Sequence, residues 1–430
     1  MTESGTIFYM TVIIFLIYLL ETIISYALRY LNLNHLKQHG AEIPQNFEGA
    51  IDPETLCKTS AYTLEQSRVG LIESIIGTII LVVFLFGGLL GVYDSWVGSV
   101  TGSFVAGGVL FFLLLTCAQT VLDIPFSLYQ TFRIENRYGF NTTTPKLWLT
   151  DFLKSTAISM LLMALLIGGA LFLVQYSPNW WWLWVWGFFA VVTLFLMYVS
   201  PYVIEPLFFK FKPVSKEGLE EDIRILMDKA GLKVSRVMEV DASRRSRHSN
   251  AYFTGIGRVK RIVLFDTLLE QMDNREIIAI LAHEAGHWKK HHIIKRLVMA
   301  QVGSLAAFYI AFRVLQWPGL PGLFGLDHAS FPAQLIILGF LASLLTFPFA
   351  PLSSWLSRRD EWQADRFAAE ISGMPDALAS ALIKMTRENL SNLHPHPVYA
   401  AIYYSHPPVV ERVKKLLHLS TPEPEKGKPH

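Results

Sequence analysis

The sequence predicts an α-helical multi-pass membrane protein carrying two soluble pieces, on three observations. Of 430 residues, 52% are hydrophobic and 17% charged, with a mean hydropathy of +0.36, whereas a soluble domain carries roughly 25% charge. Seven apolar stretches reach the length of about 20 residues that a helix needs to cross a bilayer. An H-E-x-x-H pattern, His283-Glu284-Ala285-Gly286-His287, lies outside those stretches.

The seven stretches are 6–31, 70–93, 103–124, 153–175, 181–209, 297–315 and 333–356. Pro201 and Pro206 are the features able to kink or end the fifth. The first has no Lys or Arg ahead of it and is too long for a signal-peptide core, so it is read as a retained span. Glu21 lies well inside it, where a carboxylate is costly in lipid and so should face water or a partner. Residues 210–296 hold 18 of the 37 basic residues, and the chain after 356 holds another 10. Basic residues collect on the cytoplasmic side, which predicts an outside N-terminus and a cytoplasmic C-terminus. The net charge of +2 gives no support to a nucleic-acid binder. Cys57 and Cys117 form no ligand spacing, and no redox role is assigned.

Spans one to five with their loops occupy 1–209. A first soluble part follows at 210–296, spans six and seven at 297–356 and a second soluble part at 357–418. In the first part, 216–230 has a helical pattern, and the β-prone stretches 237–240, 250–255 and 261–265 predict a small sheet before the H-E-x-x-H helix. Residues 419–430 are Pro- and charge-rich and are expected to be disordered. They do not end in a C-a-a-X box.

Residues four apart share a helix face, so His283 and His287 can present two imidazoles to one metal ion, with Glu284 beside them as a proton acceptor. Catalytic zinc takes three protein ligands. His291 continues the spacing, but on a straight helix it would lie about 12 Å along the axis from His283, too far to share the ion. A carboxylate is the remaining common choice, and Ser357-Arg358-Arg359-Asp360-Glu361-Trp362-Gln363-Ala364-Asp365 supplies it. Two spans separate His287 from Glu361, and an even number of crossings returns the chain to the same side. Glu361 would be the third ligand and Asp365, one turn on, would orient a histidine through its free ring N–H. By itself, that stretch reads as a charged helix end outside a membrane.

Together these motifs resemble the type I CAAX prenyl protease family, integral-membrane zinc metalloproteases of the gluzincin group. The resemblance rests on HEAGH at 283–287, SRRDEWQAD at 357–365, SNAYFTG at 249–255, SHPPVVER at 405–412 and ENRYGFN at 135–141. It implies seven helices around a large water-filled chamber, capped by a mainly helical zinc domain with a small β-sheet. It also implies that His283, His287 and Glu361 hold one Zn2+ per chain, with Glu284 as general base and acid. Asn250 and Ala251 would lie on an edge strand that holds substrate backbone, and His406 and Arg412 would stabilise the oxyanion. Without the resemblance, SNAYFTG is an ordinary alternating strand, His406 a loop histidine and Arg412 a surface charge.

The resulting expectation is a zinc-dependent endopeptidase acting at the cytoplasmic face on a peptide or protein, prenylated or not. It is expected to be monomeric, embedded in the bilayer and without nucleic acid. The short loops favour a bacterial inner membrane over the endoplasmic reticulum. The alternatives are a quality-control metalloprotease cleaving unprenylated membrane proteins, an intramembrane site-two protease, and a seven-span transporter or receptor. Lys289, Lys290, His291 and His292 directly after the motif argue against an intramembrane position.

Overall fold

A transmembrane helix ends where the sequence supplies a break, not where the lipid ends, and breaks are few in this chain. The computed structural model describes residues 3–254 and 259–420. Among them, seven helices are long and apolar enough to cross a membrane: Gly5–His39, Pro53–Phe86, Phe104–Tyr138, Pro145–Tyr176, Trp181–Leu207, His292–Val314 and Phe331–Ser372. All seven expected spans are present, and most overshoot. The first, at 35 residues, is about 52 Å long against a hydrocarbon layer of about 30 Å.

The second span starts at Pro53 rather than at residue 70, because Asp52 caps it by accepting from the Thr55 N–H at 2.8 Å. It stops at Phe86, since Gly87 follows and Gly88 turns left-handed at φ +78°. The end of the expected stretch 70–93 therefore belongs to a separate helix, Leu89–Val100. The fifth span passes Pro201 as regular helix to Val203, with Pro206 in the 3-10 turn that follows.

At most 11% of the most apolar window of any span is buried. A helix packed into a solid core would bury a stripe wider than about a quarter of its circumference. Leu85, Phe111, Ile337 and Phe340 of spans two, three and seven nevertheless pack together as one buried cluster, while most of each apolar window is left unburied by protein. One Glu21 oxygen is buried by protein and has no partner, so this carboxylate turns toward its neighbours rather than toward lipid.

The expected sheet has four strands: β1 (Phe211–Pro213), β2 (Lys233–Val240), β3 (Ala251–Thr254) and β4 (Val259–Phe265), in the order β1-β2-β4-β3. β2 and β4 are parallel, while β3 pairs antiparallel with β4 from Ala251↔Leu264 to Thr254↔Arg261. This leaves β3 at the sheet edge. Ile262, Val263 and Leu264 are fully buried. The expected helix at 216–230 forms as Leu219–Ala230 and ends at Gly231, whose φ of +69° lets Leu232 N–H reach the Met227 carbonyl. Phe47 and Ile51, from the connection between spans one and two, and Leu56, in the first turn of span two, pack into the same core as Ile223, Leu264 and Leu281. The soluble part is thus seated partly on membrane-domain residues.

The seventh span also departs from expectation. Phe331–Thr346 continues through a 3-10 turn at Phe347–Phe349 into the helix Ala350–Ser372. The helix runs on through the charged run 357–365, which contains no helix breaker. Glu361 therefore stands on the same rod as the span. At the C-terminus, residues 419 and 420 close the helix Val409–Ser420. Residues 421–430, the rest of the expected disordered tail, and Gly255 of the strand motif lie outside the described residues.

Candidate metal centre

The H-E-x-x-H helix runs Asn274–Lys289 and is started by a capping box: Asp273 accepts from the Glu276 N–H, and Glu276 accepts from the Asp273 N–H. Glu276 is itself buried, and its carboxylate also binds Ser380 Oγ and Lys384 Nζ, each at 2.7 Å. The helix start is thereby tied to the helix Pro375–Glu388. The helix then crosses Ala350–Ser372 at very short range. A Cβ on Gly286 would lie 3.0 Å from the Ala364 Cα and 3.2 Å from its carbonyl oxygen. Only glycine facing alanine permits this approach, and the approach carries Glu361 onto the two histidines.

His283 Nε2 and His287 Nε2 are 3.2 Å apart. Glu361 Oε2 lies 3.4 Å from the first and Oε1 lies 3.3 Å from the second. A tetrahedral ion with bonds of about 2.0 Å has ligand–ligand edges of about 3.3 Å. Among the described residues this is the one group of three or more metal-type ligands that converges.

The donor chemistry agrees with the spacing. Asp365 Oδ1 is 2.8 Å from His283 Nδ1, so that nitrogen carries the proton and Nε2 is a lone pair. The 3.4 Å approach of Arg412 Nη2 to the same Nδ1 is then a contact between two donors, not a bond. His287 Nδ1 is 3.2 Å from His292 Nδ1, and His292 Nε2 is 3.3 Å from Gln363 Oε1. With the Gln363 oxygen facing it, His292 donates from Nε2 and accepts from His287 Nδ1. Thus the second imidazole also turns a lone pair inward. Two lone pairs and the otherwise unpartnered Glu361 Oε2, packed this closely, repel one another unless a cation lies between them. The residues fit zinc.

Around this centre, Glu284 is close enough to feel His283, His287, Glu361 and Arg412; burial raises its carboxyl above the ordinary value, and the two imidazoles act against that. Arg412 is buried and binds Asp365 in bidentate fashion, Nε–Oδ2 at 2.9 Å and Nη2–Oδ1 at 2.6 Å. Its Nη1 stands 3.8 Å from Glu361 Oε2. His406 Nε2 is 3.4 Å from Glu361 Oε1, yet its side chain is 62% exposed. Asn250 is exposed, its Oδ1 accepting from the Ala251 N–H at 2.8 Å. Ala251 begins the edge strand β3, which lies against the H-E-x-x-H helix.

Two residues here escape sequence reasoning. His292 is one, although it stands in plain view at the end of HEAGHWKKHH. The helix stops at Lys289, His291 turns left-handed at φ 59°, and this turn swings His292 back onto His287. His291 is thus removed by the end of the helix rather than by distance along it. Arg358 is the other: its Nη1 donates to the Ala400 and Tyr404 carbonyls at 3.1 and 2.8 Å, holding the turn that presents His406. A run of Arg, Asp and Glu next to a span carries no signal that singles it out.

Comparison with known proteins agrees with this site. A family model described as CAAX prenyl protease N-terminal, five membrane helices, matches residues 32–210, and one described as peptidase family M48 matches 213–420. The CAAX prenyl protease 1 homolog of Arabidopsis thaliana is 34% identical over 394 residues, 87% of this chain and 90% of that protein. CAAX prenyl protease 1 of Saccharomyces cerevisiae is 32% identical over 413 residues, 88% and 89% of the two chains. The crystal structure of S. mikatae Ste24p matches with a TM-score of 0.87 at 29% identity, over 95% of this chain and 99% of that one. With its seven spans, four-stranded sheet and converging His-His-Glu group, the chain belongs to the CAAX prenyl protease 1 family of multi-pass membrane zinc metalloproteases.

Proposed function

We propose that this protease cleaves the C-terminal tripeptide from prenylated proteins at the cytoplasmic face of its membrane. The observation that carries the reading is the convergence of His283, His287 and Glu361 within 3.2–3.4 Å of one another, beside an edge strand, in a chain related to CAAX prenyl proteases over nearly its whole length. His283, His287 and Glu361 would hold one zinc ion, which when bound supplies a Lewis acid that polarises the scissile carbonyl and makes water a better nucleophile.

The chain's own residues do the rest. β3, with Ala251 at its start and Asn250 just ahead of it, takes the substrate backbone as an added strand, which tolerates varied side chains because main-chain bonds supply the affinity. Glu284 accepts the proton of the attacking water and returns it to the leaving amine; its raised carboxyl suits both halves of that exchange. His406, exposed beside Glu361, and the Nη1 of Arg412 donate to the developing oxyanion. Asp365 fixes both the His283 tautomer and the Arg412 guanidinium. The basic residues of 210–296 and of the chain after 356 support a cytoplasmic site. The short links between spans favour a bacterial inner membrane, whereas the eukaryotic relatives favour the endoplasmic reticulum; localisation of a tagged chain decides between them.

The test incubates purified protein and its E284Q variant with a farnesylated C-a-a-X peptide and with the unmodified peptide, and reads products by mass spectrometry. The expected result is release of a tripeptide from the farnesylated peptide by the wild type alone. Equal cleavage of both peptides would favour a quality-control protease, and E284Q that still cleaves would remove Glu284 from the mechanism.

A further inference from the structure

Glu135–Asn141 stands out in the sequence and takes no part in the chemistry above. The third span ends there in a six-residue π-helix, Gln130–Glu135, a distortion that is concentrated at functional sites. It turns the Glu135 carboxylate onto four partners. Tyr62 Oη donates to Oε1 at 2.6 Å, Gln66 and Gln130 donate to the same oxygen at 3.2 Å, and His248 Nε2 lies 3.3 Å from Oε2. The other His248 nitrogen is 2.9 Å from Asn389 Oδ1. Both ring nitrogens thus face oxygen acceptors, which only an imidazolium satisfies, and the bond to Glu135 raises the His248 pKa in the same sense. Phe140 stacks on the ring at 4.2 Å.

The main chain follows the side chains. Gly139, at φ +85°, makes the turn after which Phe140 accepts from the Arg247 N–H at 3.0 Å. Asn141 then forms a β-bridge with Ser246, and Thr143 Oγ1 donates to the Arg245 carbonyl. Residues 245–248 are therefore fastened to the membrane part immediately before Asn250 and β3. A second tie comes from β3 itself, where Tyr252 Oη donates to Glu205, at the end of span five, at 3.0 Å.

We propose that Glu135 and His248 form a positioning clamp, an ion pair by which the end of the third span sets where β3 lies beside the metal ligands and so how well substrate backbone adds to it. The inference rests on β3 being the substrate strand. A contact that merely joined the two halves of the protein would affect stability and leave KM alone.

The experiment measures steady-state cleavage of a farnesylated C-a-a-X peptide by full-length E135Q, H248A, the double variant and N250A, with zinc content and thermal midpoint determined for each. The clamp predicts KM raised about tenfold in each single variant, the scale of one lost charge-assisted hydrogen bond, with kcat within about twofold and zinc retained. The double variant should be no worse than either single one, because the pair acts as a unit. An unchanged KM with a lowered midpoint would overturn the clamp, as would effects that multiply in the double variant. If N250A leaves KM unaltered, the substrate-strand reading fails and the clamp with it; if N250A raises KM and E135Q does not, the clamp alone fails. Should E135Q not accumulate, H248Q is read in the same assay by the same criteria.

Discussion

The two histidines of H-E-x-x-H sit one turn apart on one helix, yet their outer nitrogens are held in unlike ways. His283 is backed by a carboxylate, Asp365, that is itself locked by a buried arginine. His287 is backed by a neutral histidine, His292, that leans on the Gln363 amide. A carboxylate makes an imidazole a more basic ligand and fixes its tautomer through a charge; a neutral histidine fixes the tautomer and adds little charge. With zinc held as proposed, the His283 arm would add more to affinity and the His287 arm, whose His292 has its nearest carboxylate at 3.7 Å in Asp360, more to orientation. The difference arises because Asp365 lies one turn beyond Glu361 on the crossing helix, while His292 comes from the turn where the first helix ends.

The strongest way to break this contrast is Asp365→Ala. It removes the acceptor from His283 and strands the buried Arg412, which should cost about 3–5 kcal/mol of stability and about 100-fold in zinc affinity. Thermal unfolding and chelator competition read the two effects, and Asp365→Asn, which keeps an acceptor, should recover part of the zinc affinity. Gly286→Val comes next: with Ala364 Cα 3.0 Å from a Cβ at this position, the helices must part, at a cost of about 1–3 kcal/mol. Metal analysis should then find a sub-stoichiometric protein. His292→Ala leaves the His287 N–H without an acceptor, and zinc affinity should fall by about tenfold with stability nearly unaltered. If His292→Ala weakens zinc as much as Asp365→Ala, the two arms are equivalent and the contrast is wrong. The smallest effect belongs to Arg358→Ala, which loosens the turn before His406; kcat should fall by about fivefold to tenfold, with zinc content and KM held.

How much of this could be read in advance depends on the kind of information each residue carries. His283, Glu284 and His287 were legible because their spacing is a property of a single helix. Glu361 became legible through topology, since two spans separate it from His287. Gly286 looked like a filler inside H-E-x-x-H, and nothing nearby in sequence announced Ala364 as the backbone it must admit. His292 was hidden behind one left-handed residue, and a periodicity argument assumes that the helix continues. The span count was correct because hydrophobicity is summed over some 20 residues, whereas the ends were misplaced because hydropathy does not see caps such as Asp52 or unbroken charged runs such as 357–365. Phe47 and Ile51, in an inter-span connection, gave no hint that they belong to the same core as the H-E-x-x-H helix.

By itself, then, the sequence determined what is local or additive: seven spans, the segments in which the basic residues gather, the two imidazoles on one helix face and the carboxylate that follows the last span. Tertiary structure alone decided what depends on two distant segments sharing one place. It set the Gly286–Ala364 crossing that brings His283, His287 and Glu361 to within 3.4 Å, the unlike partners of the two histidines, and the seam between 135–141 and residues 245–248 just ahead of β3. The physical reason is that spacing along one helix is fixed by its own geometry, whereas the distance between two helices is fixed by the side chains that happen to meet there.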